Sequence, residues 1–434
     1  MDLIVENIRC FVNRQTIPIK PLTLLTGENS SGKSTLLAAL AAVHDPLGFP
    51  LRPRFNDPPY NLGNFDTIAT YKGGRAGQEK SFSLGYVRDD KAIGEQIELV
   101  ATYANRQGLV EVTQVVLKNA ALTMTFSFLR QDKVSTIKMI INRDDGTQTY
   151  EYDMSMMGGV TIGLGLNHLL YLPLSDLGTV FQQNSGNDKQ PTQQERDALL
   201  NLVYKLSLAK ALSVAPIRTR PKRTYDQITE EFTPEGEHIP FVLSGLLDDP
   251  PTREILERFG AESGLFRRIN IKKLGDKISN PIQVMVTSSN RPANLLDVGY
   301  GVSQALPVVV ESLLAAPESL LLLQQPEVHL HPRAQAALGS LLVDLLAASQ
   351  KQFVVETHSD YIIDRVRREV ASGKVAADDV SILYCERQAG ETIVYSLGLD
   401  ENGNILDAPP SYREFFLHEE FALLSRGRSA GKKG

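Results

Sequence analysis

The sequence predicts an α/β protein in which an antiparallel β subdomain and a helical insertion are set into a core of alternating strands and helices. Three observations predict it. A glycine-rich loop, Thr26-Gly27-Glu28-Asn29-Ser30-Ser31-Gly32-Lys33-Ser34-Thr35, sits between an apolar run at 22–25 and a helical run at 36–42. From 294 onward, helical and strand patterns alternate, as they do around a parallel sheet. Between 81 and 152 the apolar period shortens to two, the mark of half-buried strands.

In chain order, residues 3–8, 16–19 and 22–25 read as short strands leading into the glycine loop and its helix. Alternating segments follow at 97–103, 109–117, 122–129 and 134–141, broken by polar turns such as Asp144-Asp145-Gly146. They read as an antiparallel sheet. The region 172–212 carries a polar loop at 182–193. A helix at 194–212 follows, with Leu199, Leu200, Val203, Leu206 and Leu208 on one face. That helix is too short for a coiled-coil arm, which needs a sustained heptad pattern. A basic, proline-punctuated stretch at 215–225 holds Arg218, Arg220, Lys222 and Arg223. It reads either as a solvated charge run or as a nucleic-acid contact. After a glycine turn come a helix at 303–315, a strand at 319–323, a helix at 332–349, a strand at 352–356 and a helix at 361–370. The tail 425–434 is Gly/Ser/Lys-rich and is expected to be disordered. The chain divides accordingly into 1–75, with the glycine loop; 76–155, the antiparallel subdomain; 156–290, a helical and mixed insertion; and 291–424, the second α/β half.

Composition narrows the setting. A net charge of −6 argues against a uniformly basic surface for nucleic acid, while leaving room for a local groove. Cys10 and Cys385 are too few for a disulfide framework or a cysteine metal site. The longest apolar stretch, 36–43, is far short of the roughly 20 residues of a membrane span. A soluble, cytoplasmic protein with no membrane contact is the expectation.

The loop's residue types state its chemistry. Gly27 and Gly32 permit backbone angles and close approaches that let the N–H groups of Asn29, Ser30, Ser31, Gly32, Lys33, Ser34 and Thr35 surround phosphates at a helix start. The Lys33 ammonium would reach the terminal phosphates and the Ser34 hydroxyl a magnesium ion. Four further elements follow at the far end of the chain. They are the glycine turn Asp297-Val298-Gly299-Tyr300-Gly301-Val302-Ser303-Gln304, the strand Leu321-Leu322-Leu323-Gln324-Gln325-Pro326-Glu327, the pair His329 and His331, and Thr357-His358-Ser359 after an apolar strand. Two histidines without further ligands read as interface or structural residues before they read as a metal pair.

Together these segments resemble the ABC-type ATPases of the RecF, SMC and OLD kind, a branch of the AAA-family ATPases. The resemblance covers residues 1–46 and 294–368. It implies a P-loop head that closes head-to-tail with a second copy around two ATP molecules with Mg2+. In that arrangement Lys33 and Ser34 would serve the chain's own ATP. Gly301, Ser303 and Gln304 would reach the partner's. His358 would act as the switch histidine, and Arg9 matches a family basic residue near the nucleotide.

One departure stands out. Where the family places acids to position the magnesium ion and to deprotonate the attacking water, this chain has Gln324 and Gln325. A glutamine hydrogen-bonds water but cannot act as a general base. Three readings stay open: Glu327 takes over, hydrolysis is slow and ATP acts mainly as a clamp, or the amides trap the bound state. The stretch after His358 is shorter than the roughly 100 residues of an added domain, so an effector, a nuclease or toxin in anti-phage defence by resemblance, is expected to act in trans. The alternative is a DNA-repair ATPase that clamps DNA through Arg218, Arg220 and Arg223.

Overall fold

A computed structural model describes residues 1–74, 77–90, 95–120, 122–131, 134–143, 146–153, 208–226, 231–275 and 280–412. The first half runs β1 (Asp2–Glu6), β2 (Gln15–Pro18), β3 (Leu22–Gly27), α1 (Lys33–Val43) and α2 (Phe65–Ile68). It continues with β4 (Ser81–Asp90), β5 (Glu95–Arg106), β6 (Leu109–Lys118), β7 (Leu122–Gln131), β8 (Val134–Arg143) and β9 (Gly146–Asp153). The second half holds β10 (Leu212–Val214), α3 (Ile239–Asp248), α4 (Pro250–Ser263), β11 (Arg268–Lys273), β12 (Ile282–Thr287) and β13 (Pro292–Asn294). It closes with α5 (Tyr300–Leu314), β14 (Leu320–Gln324), α6 (Pro332–Ser349), β15 (Gln352–Glu356), α7 (Asp360–Ala371), β16 (Val380–Gln388) and β17 (Glu391–Leu397).

Two large sheets face each other across α1. The six-stranded sheet has the order β10-β14-β15-β3-β16-β17, parallel except for the β16–β17 hairpin. Its central strands are apolar and enclosed: all five residues of β14 are buried, and four of the five in β15. That is the pattern of strands covered on both faces. The eight-stranded sheet, order β2-β1-β4-β5-β6-β7-β8-β9, is antiparallel. A smaller three-stranded sheet, β11-β12-β13, lies beside α3 and α4.

Helix α1 is buried nearly all round, with Leu36, Leu37 and Leu40 fully enclosed, because it packs against strands of both large sheets. On the opposite face of the parallel sheet, α5, α6 and α7 close a second core. In α7, Ile362, Ile363, Val366 and Val370 are buried at helical spacing, and the Ser359 side chain caps its start.

The strands predicted between 97 and 141 and the helices and strands predicted between 303 and 370 are present, within one to three residues at their ends. Three features differ. Strands β1 and β2, grouped by sequence with the glycine loop in 1–75, join the antiparallel sheet, β1 pairing with β4. The helix predicted at 194–212 lies mostly outside the described residues, as do Asp144-Asp145 and the tail 425–434. Its last residue, Leu212, opens a strand that pairs in parallel with Leu321; a run of apolar residues followed by a proline-rich loop suits a buried edge strand equally well. The hairpin β16–β17 had no prediction. No helix among the described residues is long and apolar enough to cross a membrane.

Candidate functional site

The site forms where the parallel strands β3, β15 and β14 end side by side, Leu25 opposite Glu356 and Glu356 opposite Gln324. Strand ends of a parallel sheet, next to a helix start, are where such folds bind ligands. After β3 the chain turns through Gly27 at φ 137, where an added Cβ would lie 2.2 Å from the Cys385 carbonyl oxygen. Gly32 at φ 92 would meet Cys10 Sγ at 2.5 Å. Both positions therefore require glycine, and with Ser30 at φ 62 they curl the loop over the start of α1. No side chain caps that helix, so its first N–H groups are left for a ligand.

Lys33 is buried, and its Nζ donates to the carbonyl oxygens of Gly27 at 3.0 Å and Glu28 at 2.6 Å. Burial lowers its pKa, and the Glu356 carboxylate, Cys385 and Glu28 oppose that shift. The Ser34 hydroxyl points at Glu356, 3.1 Å from Oε2 and 3.3 Å from Oε1. Gln324 Nε2 donates to the same Oε2 at 3.5 Å. Ser31 Oγ is buried without a partner. This donor set fits a triphosphate with magnesium: a bare helix start, an ammonium held by two carbonyls, a spare hydroxyl, and a serine facing a carboxylate. Lys33, Ser34 and the loop N–H groups of Asn29, Ser30, Gly32 and Thr35 would hold the phosphates and the ion, the Ser31 N–H being engaged by the Glu28 carbonyl at 3.3 Å.

At the end of β14 the backbone turns out of the sheet. Gln325 takes φ 42, and its N–H donates to the Glu356 carbonyl at 2.8 Å. Arg218 fixes this turn: its Nη2 donates to the carbonyls of Gln324 and Gln325, each at 3.0 Å. Only 3% exposed, Arg218 has its pKa lowered to about 10 by burial, with Glu327 opposing. Its place in a solvated or DNA-facing run is thus corrected. Two main-chain carbonyls engage its Nη2, while Nε and Nη1 are buried without a partner. Arg223 forms a two-pronged ion pair with Asp297, at 2.9 and 2.7 Å, and Arg220 is exposed.

Beyond the turn, Glu327 is buried. Its Oε1 accepts the His358 backbone N–H at 2.7 Å, and its Oε2 has no partner. Burial raises its pKa, against hydrogen bonds from His358 and Thr357. The His358 side chain is exposed and its pKa is lowered, first by desolvation and then by the charge of Lys33, so the imidazole is mainly neutral at pH 7 on the Lys33 side. One carboxylate therefore links the strand-end turn to the segment Thr357-His358-Ser359.

The remaining predicted residues divide. Arg9 lies in the turn whose Cys10 packs on Gly32, but its guanidinium is committed to the carbonyls of Thr67 and Leu62 at 3.2 and 3.0 Å. The side chains of Ser303 and Gln304 do not face outward: both are buried in α5, and Ser303 Oγ donates to the Tyr300 carbonyl at 2.8 Å. Because α5 begins at Tyr300, its phase turns 303 and 304 inward. The helix instead presents uncapped N–H groups, Gly301 and the exposed Tyr300. The Tyr300 ring meets His329 edge-on at 5.0 Å, and His331 caps α6. No cluster of three metal-ligating residues occurs among the described residues.

Two residues escaped the sequence reading. In the sequence Glu356 reads only as the end of an apolar strand, although its signal is an acid placed just before Thr357-His358. Arg218 was read with its charged neighbours, and nothing local separated it from them.

Two family models match the chain. One, described as "AAA domain", spans residues 2–212, and the other, described as "AAA domain, putative AbiEii toxin, Type IV TA system", spans 246–364. No curated protein matches the sequence. Similar solved structures include an SMC head bound to the C-winged helix domain of ScpA, at 14% identity and TM-score 0.42, covering 92% of this chain and 98% of that one. Another is the SMC head domain from Thermotoga maritima, at 11% identity and TM-score 0.37, covering 91% and 97%. A third, an Smc head with an extended coiled coil derived from Pyrococcus furiosus, has 12% identity and TM-score 0.38, with 98% of both chains covered. At that distance the residues of the site, and not the neighbours, carry its chemistry. With AAA-domain models matching both halves of the chain and the glycine loop set between a parallel strand and a helix, the chain belongs to the AAA-domain P-loop proteins.

Proposed function

We propose that this chain binds ATP with Mg2+, pairs head-to-tail with a second copy around the nucleotide, and uses the closed state to control a separate effector. The observation that supports it most is the assembly of one continuous chain of contacts. The uncapped α1 start, Lys33 and Ser34 face the ends of β15 and β14, and Glu327 there holds the backbone of His358. A nucleotide that orders the loop would thus be felt at the switch segment. The uncapped start of α5, with the exposed Tyr300, is the surface we assign to the second copy's nucleotide.

Hydrolysis in this reading is slow. Gln324 and Gln325 are neutral, and Glu327 is the acid placed to accept a proton, with one oxygen already engaged by His358. Gln325→Glu should raise steady-state turnover by about 100-fold or more. An unchanged rate would mean that Glu327 already supplies the base. The effector is a nuclease or toxin of a defence system in this proposal, supported by the description of the model matched at 246–364. The DNA-clamp alternative is weakened, since of its three arginines Arg218 is buried and Arg223 is paired.

Light scattering with and without Mg-ATP tests the core of the proposal. The wild type should double its mass with ATP and Lys33→Ala should not. A mass unchanged by ATP that is nevertheless bound would remove the sandwich dimer from the reading.

A further inference from the structure

A buried carboxylate is costly unless it is paired or coordinates a cation. Glu356 is 4% exposed, and its side-chain partners are the neutral Ser34 hydroxyl and, at the limit of a hydrogen bond, the neutral Gln324 amide. Lys33, whose charge it feels, aims its ammonium at two loop carbonyls instead. The acid therefore sits against the one hydroxyl of the loop suited to magnesium, and no recorded ion pair explains its charge.

The sheet order strengthens the point. Strand β15 is hydrogen-bonded directly to β3, whereas β14 lies one strand further out. With strands about 4.8 Å apart, the end of β15 is the nearer of the two to Ser34. Magnesium favours hard, charged oxygens and is usually held by one or two carboxylates together with substrate phosphates. The end of β14 offers only amides. We infer that Glu356 is the protein carboxylate of the magnesium site, supplying from β15 the negative charge that Gln324 lacks on β14. This rests on the nucleotide reading above. The Ser34 hydroxyl and the Glu356 carboxylate would each give an oxygen to the ion, and Gln324 would orient Glu356 through its amide. The pair of glutamines is then a displacement of the acid by one strand, not its loss.

The test measures binding, not turnover. The affinity of a fluorescent ADP analogue is determined in EDTA and in excess Mg2+, and bound Mn2+ is counted by electron paramagnetic resonance. Wild type should bind the nucleotide in EDTA and bind it more tightly with Mg2+. In Glu356→Gln the affinity in EDTA should stay within about twofold, while the tightening by Mg2+ and the Mn2+ affinity fall on the order of 10- to 100-fold. Adding Gln324→Asp to that variant should restore much of the metal effect. A folded Glu356→Gln that keeps the full Mg2+ effect, or that loses affinity equally in EDTA, overturns the inference and leaves nucleotide binding intact. If Glu356→Gln does not fold, Glu356→Asp decides: a weakened Mg2+ effect at unchanged EDTA affinity supports the assignment, and an unaltered one removes it. Wild type that binds no nucleotide in either condition would remove the underlying reading itself.

Discussion

The six-stranded and eight-stranded sheets share α1 as a common layer, yet they dispose of polar residues in opposite ways. In the antiparallel sheet, Ile97, Leu99, Ala101 and Tyr103 of β5 point to the core while Gln96, Glu98, Thr102 and Ala104 between them are partly or fully exposed, so polarity is spread along the strand. In the parallel sheet both faces are covered, and polar side chains gather at the strand ends, at Gln324 and Glu356. The site is therefore a consequence of burial. A sheet with no wet face concentrates its chemistry along one edge, and the other sheet is left to support it.

That division can be broken in several ways, of decreasing size. Phe82 is fully buried at the centre of an aromatic group with Phe55, Phe65 and Tyr103. Phe82→Ala should cost about 3–5 kcal/mol in urea unfolding, while nucleotide affinity of the folded protein stays as it was. A matching loss of affinity would show that the two sheets are not separable. His44, at the end of the shared helix, donates Nδ1–H to the Ala209 carbonyl at 2.9 Å, and burial lowers its pKa to about 4. An unfolded histidine protonates near 6.5, so as pH falls from about 6.5 to about 4 the unfolded state takes up a proton that the folded state refuses. Up to about 3 kcal/mol of stability should be lost across that window, and His44→Gln should flatten the profile.

Lys33→Ala probes the edge itself. Losing a charge-assisted contact of about 2–3 kcal/mol predicts nucleotide affinity reduced on the order of 30- to 100-fold, read by titration calorimetry, with little change in melting temperature. The smallest effect belongs to Arg218→Met. It leaves two buried carbonyls without a donor, at a cost of about 1–3 kcal/mol. Exchange of the Gln325 N–H, which donates to Glu356, should accelerate, while strands of the antiparallel sheet keep their protection.

Much of this was legible in the sequence, because long periodic segments and a glycine loop between strand and helix announce themselves. Helix α6 and strand β15 fall where the pattern puts them. The remainder depended on information that is not local. Strands as short as β1 and β2 carry no mark of which sheet they join. Glu356 acquires its meaning only from register, which sets it between Ser34 and Gln324. Arg218 reads as one more surface cation until its two carbonyl partners, over a hundred residues away, are known. Ser303 and Gln304 depended on helix phase: a start three residues earlier than predicted turns them from the surface into the core.

The grip of Arg218 on main-chain oxygens has a further consequence. Because it holds the carbonyls of residues 324 and 325, the path of the turn does not depend on what their side chains are. The strand end works as a socket into which acid or amide can be fitted without redrawing the backbone. The chemistry of that strand end can thus be exchanged independently of its architecture, two side chains at a time.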